Sequence, residues 1–550
     1  MKSKFTVWHL ISLLCLCAFG LFIMYPLFLI LYKSVISGDT GGLSLQYFSR
    51  FFAKKFYWGT VINSLQVTLV STLLSAAIGL PMAYLMQSVK IRGSVFLNVL
   101  IVISYLSPPF IGAYAWIQLL GRNGVVTQFL NGLLGVKLAG VYGFAGIVLV
   151  FTLQSFPLVY IYVSGALKNL DNSLNEAAES LGCSRAGRIW KIIVPLVMPT
   201  LLASSMLVFM RVFSDFGTPM LIGEGFKTLP VLIYNQFMSE VGGDDGFAAA
   251  ICCIVIVLTI GMFFVQRFFA SRNTYAMTAL KPMAAEKAKG LRNILAHGIV
   301  YGIVLLAALP QIVVIYTSFL ATNGGQVFTG GYALTSYEAT ILSKDSSVIW
   351  HTYGLGLCAI VIILFVGVCI AYLSVRKKNM LNSILDVVTM FPFIIPGSVL
   401  GISFVFAFNK SPLILTGTAL IMIISFVVRR MPYTVRSSAA VLGNISPSVE
   451  EAAISLGASD MTTFRKITVP MMAPGVLSGA IMSWVTIISE LSSSIILYTN
   501  STQTLSVSIY TEVIRGNYGN ASAYATILTV TSIVSLLIFF KVTGKRDISL

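Results

Sequence analysis

Charge is scarce in this chain. Asp, Glu, Lys and Arg make up 10% of its 550 residues, 57% are hydrophobic, and the mean hydropathy is +0.89. Soluble domains carry about 25% charged residues. The scarcity excludes a water-soluble enzyme and points to an integral membrane protein. Histidine is rarer still: His9, His297 and His351 are scattered and form neither a metal pattern nor a triad. No G-x-x-x-x-G-K-[ST] occurs, so the chain has no phosphate-binding loop of its own. No catalytic constellation and no metal site is read from the sequence. Seven cysteines are present, none in a predicted outer loop, and no disulfide is expected.

What the chain has is long apolar runs, nearly all exceeding the roughly 20 residues that cross a hydrocarbon core as a helix. Twelve spans are predicted. In the first half they lie at about 7–32, 61–87, 95–120, 143–168, 199–222 and 247–270. In the second half they lie at about 293–320, 351–374, 383–407, 413–430, 475–498 and 521–541. The first run is too long for a signal-peptide core and lacks a small-residue cleavage site, so it reads as a retained span. With the N-terminus inside and basic residues at the inner ends of spans counted as inner, 25 of the 36 Lys and Arg fall on the inner side, 10 outside, and Arg211 within a span. This positive-inside bias accounts for the net charge of +17 without nucleic acid, and it places both termini in the cytosol. The partner that the composition requires is a lipid bilayer.

The second half repeats the first. Pro26, Tyr32 and Ser34 match Pro310, Tyr316 and Ser318, and Ala83-Tyr84-Leu85 and Pro108 match Ala371-Tyr372-Leu373 and Pro396. The division reads as a first half, 1–270, a basic cytosolic linker, 271–292, and a second half, 293–550. Six spans is an even number, so both repeats enter the membrane in the same direction.

The strongest repeat is polar. Residues 173–199 read SLNEAAESLGCSRAGRIWKIIVPLVMP, and residues 448–474 read SVEEAAISLGASDMTTFRKITVPMMAP. Ser173-x-x-Glu176 and Ser448-x-x-Glu451 fit capping boxes. A short helix should follow and turn at Gly182 and Gly457, the residue type that accepts a left-handed backbone. A second helix should run to about Ile193 and Thr468, before Pro195 and Pro470 break it. The small pairs Ala177-Ala178 and Ala452-Ala453 leave the first helix thin enough for another protein's groove. Alone, such a box only caps a surface helix. Two copies with matched glycine and proline argue for a docking element.

Glu-Ala-Ala, three residues, glycine, nine residues, then Ile-x-Val-Pro resembles the EAA loop of permease subunits of bacterial binding-protein-dependent ABC importers. The resemblance covers both halves and implies the all-α type I (MetI-like) permease fold in the cytoplasmic membrane. It implies that each loop docks on one of two P-loop ATPase subunits, with Glu176, Ala177, Ala178, Gly182 and Pro195 in one loop and Glu451, Ala452, Ala453, Gly457 and Pro470 in the other. It also implies an extracytoplasmic solute-binding protein, and ATP consumed by the partners with no cofactor bound here. The fused halves, with Asp215-Phe216-Gly217-Thr218-Pro219 and Ser489-Glu490-Leu491, are similar to iron(III) permeases. Related permeases carry thiamine, polyamines or aminoethylphosphonate. An ion-driven transporter of six plus six spans is the competing class. The loops depart from strict duplication at Arg185 and Arg188, where the second copy has Asp460 and Thr463.

Ionisable residues within spans are costly and usually face a partner or a watery cavity. Arg211 and Asp215 stand four apart, and Asp215 aligns with Glu490. Two readings stay open: an internal Arg211–Asp215 pair that locks helices, or an acid pair, Asp215 and Glu490, lining the pathway. A second outer motif, Thr228-Leu229-x-Val231-x-Ile233-Tyr234, recurs as Thr504-Leu505-x-Val507-x-Ile509-Tyr510 and reads as gate packing or a docking surface.

Overall fold

The apolar runs fold into helices nearly throughout. The computed structural model describes residues 7–37, 41–135, 140–238, 244–272, 285–323, 327–342 and 346–543. Most of the predicted linker lies outside them, as do Lys2, Lys4, Lys545 and Arg546. A two-stranded hairpin, Leu320–Asn323 with Val327–Tyr332, is the one sheet among the described residues.

Nine described helices are long and apolar enough to cross a membrane, and eleven if each of two bent pairs counts as one span. The bent pairs correct the straight spans expected at 95–120 and 383–407. Ser94–Leu106 turns by 100° into Pro109–Leu134, and Met380–Ile394 turns by 111° into Gly397–Phe408. The breaks fall at the matched prolines, Pro108 and Pro396. Their predecessors, Ser107 and Ile395, are extended, as a residue before proline tends to be.

Among the described residues the expected tenth span does not join that count, because its helix carries more charge. The helix there is Ala419–Asn444, not 413–430, and Arg429, Arg430 and Arg436 lie along it. A hydropathy reading treats such residues as the end of a span. The fold instead carries Arg429 and Arg430 inward.

Spans five and eleven also start earlier than expected. Arg185–Phe213 and Asp460–Ile488 are each continuous. Pro195 and Pro470 lie within these helices without breaking them. A π turn precedes each, Ile189–Ile193 and Phe464–Thr468, and carries the chain through without a break.

Two compact units emerge, and each draws on both halves of the sequence. One gathers the chain up to Ala53, Ile233–Ile256 and the residues from Ala321 onward; the other gathers Lys54–Leu232 and Val257–Leu320. In the first unit, Val7–Phe19 packs on Met380–Ile394, with Trp8 4.7 Å from Tyr372 between ring centroids and Ser12 donating to Asn382 Oδ1 at 2.6 Å. In the second unit, Gly290–Ser318 packs on Ser94–Leu106 and Pro109–Leu120, and Ala296, Val300, Val304 and Ala307 join the core.

Candidate functional site

The two duplicated loops share one backbone. Each opens with an eight-residue helix, Ser173–Ser180 and Ser448–Ser455. Each turns on a glycine with positive φ, +76° at Gly182 and +89° at Gly457. The closure is of the Schellman type in both. The Cys183 and Ala458 amides donate to the Ala178 and Ala453 carbonyls at 2.9 and 3.1 Å, and the Gly182 and Gly457 amides donate to Glu179 and Ile454 at 2.9 Å each. Ser184 and Ser459 cap the next helical turn by accepting the Gly187 and Thr462 amides, both at 3.2 Å. A Cβ at either glycine would meet open space, so the left-handed backbone alone is what asks for glycine.

The expected capping boxes do not form. Ser173 and Ser448 are first helical residues, not caps, because Asn172 and Pro447 already hold helical angles. The Asn172 side-chain amide donates to Glu176 Oε1 at 3.0 Å. In the second loop the residue held is Glu450, while Glu451 is exposed. Arg376 Nε donates to Glu450 Oε1 at 3.0 Å and the Tyr372 hydroxyl to Oε2 at 3.4 Å.

Ala177 and Ala452 are exposed, Ala178 is half-buried, and Ala453 is buried. The apolar tip comes from residues the sequence reading passed over. Leu181 is 88% exposed and Leu456 is 91% exposed, each just before the turning glycine. The signal was there in the Ser-Leu-Gly common to both copies.

The loops are anchored by opposite charges. Arg188 pairs with Glu179 at 2.5 Å, and Arg185 with Glu286 of the linker at 3.4 Å. Glu286 is itself clasped through its backbone, donating to Ser88 O and accepting from Lys90 N. In the second loop, Asp460 pairs with Lys377 at 3.0 Å.

The aligned acids lie just beyond helix ends rather than within them. The helices stop at Phe213 and Ile488. Asp215 Oδ1 accepts the Thr218 amide at 3.0 Å and so caps the short helix Gly217–Ile222. It borders a small recess with Ser64, Thr68 and Thr228. Arg211 lies over the Tyr105 ring at 4.6 Å and donates to the Tyr105 carbonyl at 3.3 Å. Glu490 accepts from Ser493 N at 3.2 Å in the turn before Ser494–Leu497, and it also receives both Arg429 and Arg430. Thr228 and Thr504 precede equivalent helices: Leu229 N donates to Ser64 Oγ at 2.8 Å, and Leu505 N to Thr352 Oγ1 at 2.7 Å. Leu229, Val231, Leu505 and Val507 are buried. Among the described residues, no three His, Cys, Asp or Glu side chains come together as metal ligands.

Residues 75–275 and 359–544 each match the model of the family described as binding-protein-dependent transport system inner membrane component. The chain belongs to this family. Its two family domains each contain one duplicated loop and one of the aligned acids. The chain is 29% identical over 557 residues to the ferric transport system permease protein FbpB of Actinobacillus pleuropneumoniae, covering 99% of this chain and 79% of the relative. It is 28% identical over 512 residues to a putative ferric transport system permease protein FbpB of Haemophilus influenzae, covering 91% and 79%. A putative 2-aminoethylphosphonate transport system permease protein of Salmonella typhi is 29% identical over 271 residues, covering 48% of this chain and 92% of the relative.

Proposed function

We propose that this chain is the fused permease of an ATP-driven importer for ferric iron in a bacterial cytoplasmic membrane, with both termini in the cytosol. The observation that carries the reading is the pair of loops with one geometry and one exposed leucine each. The same leucine stands exposed at the same place in both copies, just before the turning glycine, which fits a pair of matched contacts with a repeated partner. Two such turns fit two copies of one ATPase subunit, one on each half, 1–270 and 293–550, joined by the linker 271–292. ATPase closure pulls both turns and shifts the cavity from inward- to outward-facing. A solute-binding protein delivers cargo on the opposite side. The names of the full-length relatives favour ferric iron; the half-length relative favours aminoethylphosphonate.

The test is uptake into proteoliposomes containing this chain, its ATPase and its binding protein, with ion gradients collapsed. Radiolabelled ferric iron should accumulate only with ATP supplied to the ATPase face. Uptake driven by a gradient without ATP would make the chain a secondary transporter. ATP-dependent uptake of aminoethylphosphonate but not iron would move the substrate and leave the importer standing.

A further inference from the structure

The second half contains a cluster of buried charges that do not balance. Arg429, Arg430 and Glu490 form one group, with side chains 12%, 16% and 2% exposed. Glu490 Oε1 takes Arg429, Ser493 N and Ser493 Oγ, and Oε2 takes Arg430. One carboxylate therefore serves two guanidinium groups, leaving a net charge of +1 and a surplus of donors. The Nε of Arg429 and the Nε of Arg430 are both buried without a hydrogen-bond partner. Buried donors are ordinarily satisfied, and buried charges are ordinarily paired.

The backbone adds to the surplus. Gly397 begins the second segment of the bent span, Gly397–Phe408. Arg429 Nη1 stands 1.8 Å from where a Cβ on Gly397 would be, so only glycine lets the guanidinium reach this helix N-terminus. Both the guanidinium and the first amides of a helix favour negative charge. Ser398, next along, is buried and its Oγ has no partner. Three kinds of donor, guanidinium, amide and hydroxyl, are gathered here with one acid to answer them.

The first half has no equivalent. The matched prolines Pro157 and Pro432 inside the two helices set the register, which places Gln154 where Arg429 stands and Ser155 where Arg430 stands. Pro109 replaces Gly397, and Gln154 Nε2 simply donates to the Pro109 carbonyl at 3.2 Å. The cationic pair is thus an addition to one copy of a duplicated scaffold, not a requirement of that scaffold.

We infer that Arg429, Arg430, Ser398 and the Gly397 helix N-terminus form a binding site for a small oxyanion of the phosphate class, with Glu490 as the internal counter-charge that keeps affinity low enough for release. The oxyanion comes either from free solution or as a lipid phosphate. Both present the same oxygens to the same fork-shaped donors.

The experiment is thermal unfolding of the purified full chain in nanodiscs, titrated with inorganic phosphate at constant ionic strength. In discs of an uncharged galactolipid, which carries no phosphate, inorganic phosphate should raise the midpoint. Arg430→Gln makes the cluster neutral and should weaken apparent phosphate affinity by about tenfold or more, the scale of one charge-assisted hydrogen bond. Glu490→Gln raises the cluster charge and should strengthen binding. Lys410→Gln, an equal loss of surface charge, should match the wild type. Arg430→Lys keeps the charge without the fork and stands in if Arg430→Gln does not fold; it too should bind more weakly. If phosphatidylglycerol discs abolish the phosphate response through competition, the site holds with lipid as its source. No response in the wild type, or equal responses in Arg430→Gln and Lys410→Gln, would overturn the site.

Discussion

The loop at 173–199 and its counterpart at 448–474 keep the same turn while differing in almost everything that holds it. Both close on a left-handed glycine, and both present a solvent-exposed leucine. The first is anchored by Arg185 to an acid of the linker, and the second by Asp460 to Lys377. The second has a further clamp, Arg376 on Glu450, with both side chains nearly buried. The geometry of the tip is therefore the constrained quantity. The anchor must exist, but its sign and origin are free.

Removing the shared feature should have the largest effect. Leu181→Ser with Leu456→Ser takes away two apolar side chains that a partner would cover, each worth roughly 1.5–3 kcal/mol. Co-purification of the ATPase should fall by more than about a hundredfold in affinity, while the permease itself unfolds at its normal temperature. Retained ATPase would show that the tips are not the contact. The two single changes should be equal if the tips are equivalent.

The anchors should rank next, and unequally. Arg376→Met removes charge-assisted bonds to Glu450 and the 2.7 Å bond to the Ile445 carbonyl. It should loosen the second loop by about 2 kcal/mol, read as faster hydrogen exchange over 446–458. No change in exchange there would remove the clamp from the account. The smallest effect belongs to the exposed pair: Arg185→Asp should cost under about 1 kcal/mol of ATPase affinity, and Glu286→Lys should restore it. Additive losses in the double variant would mean that the linker does not hold the first loop.

How much of this was legible depends on which forces sequence reports. The spans and the repeat were readable because hydropathy and identity are local. Gly182 and Gly457 were readable because a left-handed turn selects one residue type. The capping boxes misled because Ser-x-x-Glu is a pattern, and helical angles at Asn172 and Pro447 moved the start by one residue. Pro195 and Pro470 misled because a π turn just before each carries the helix through the proline, and no sequence pattern announces that turn. Arg429 and Arg430 were set at a membrane edge because nothing local reveals that Glu490, sixty residues on, meets both. Leu181 and Leu456 were passed over because leucine reads as core until its exposure is known.

The exchange of leading helices has a consequence for how the chain is made. Val7–Phe19 is synthesised long before its packing surface, Met380–Ile394. At roughly 5–20 residues per second, the ribosome takes on the order of tens of seconds to supply it. During that interval the leading helix rests in lipid with the Ser12 hydroxyl turned to its own Trp8 carbonyl, a bond of 2.8 Å that needs no other helix. The unit built around Lys55–Ser88 waits in the same way for Gly290–Ser318. Assembly is therefore closed from the far end of the message: translation must pass the middle of the chain before either bundle is complete.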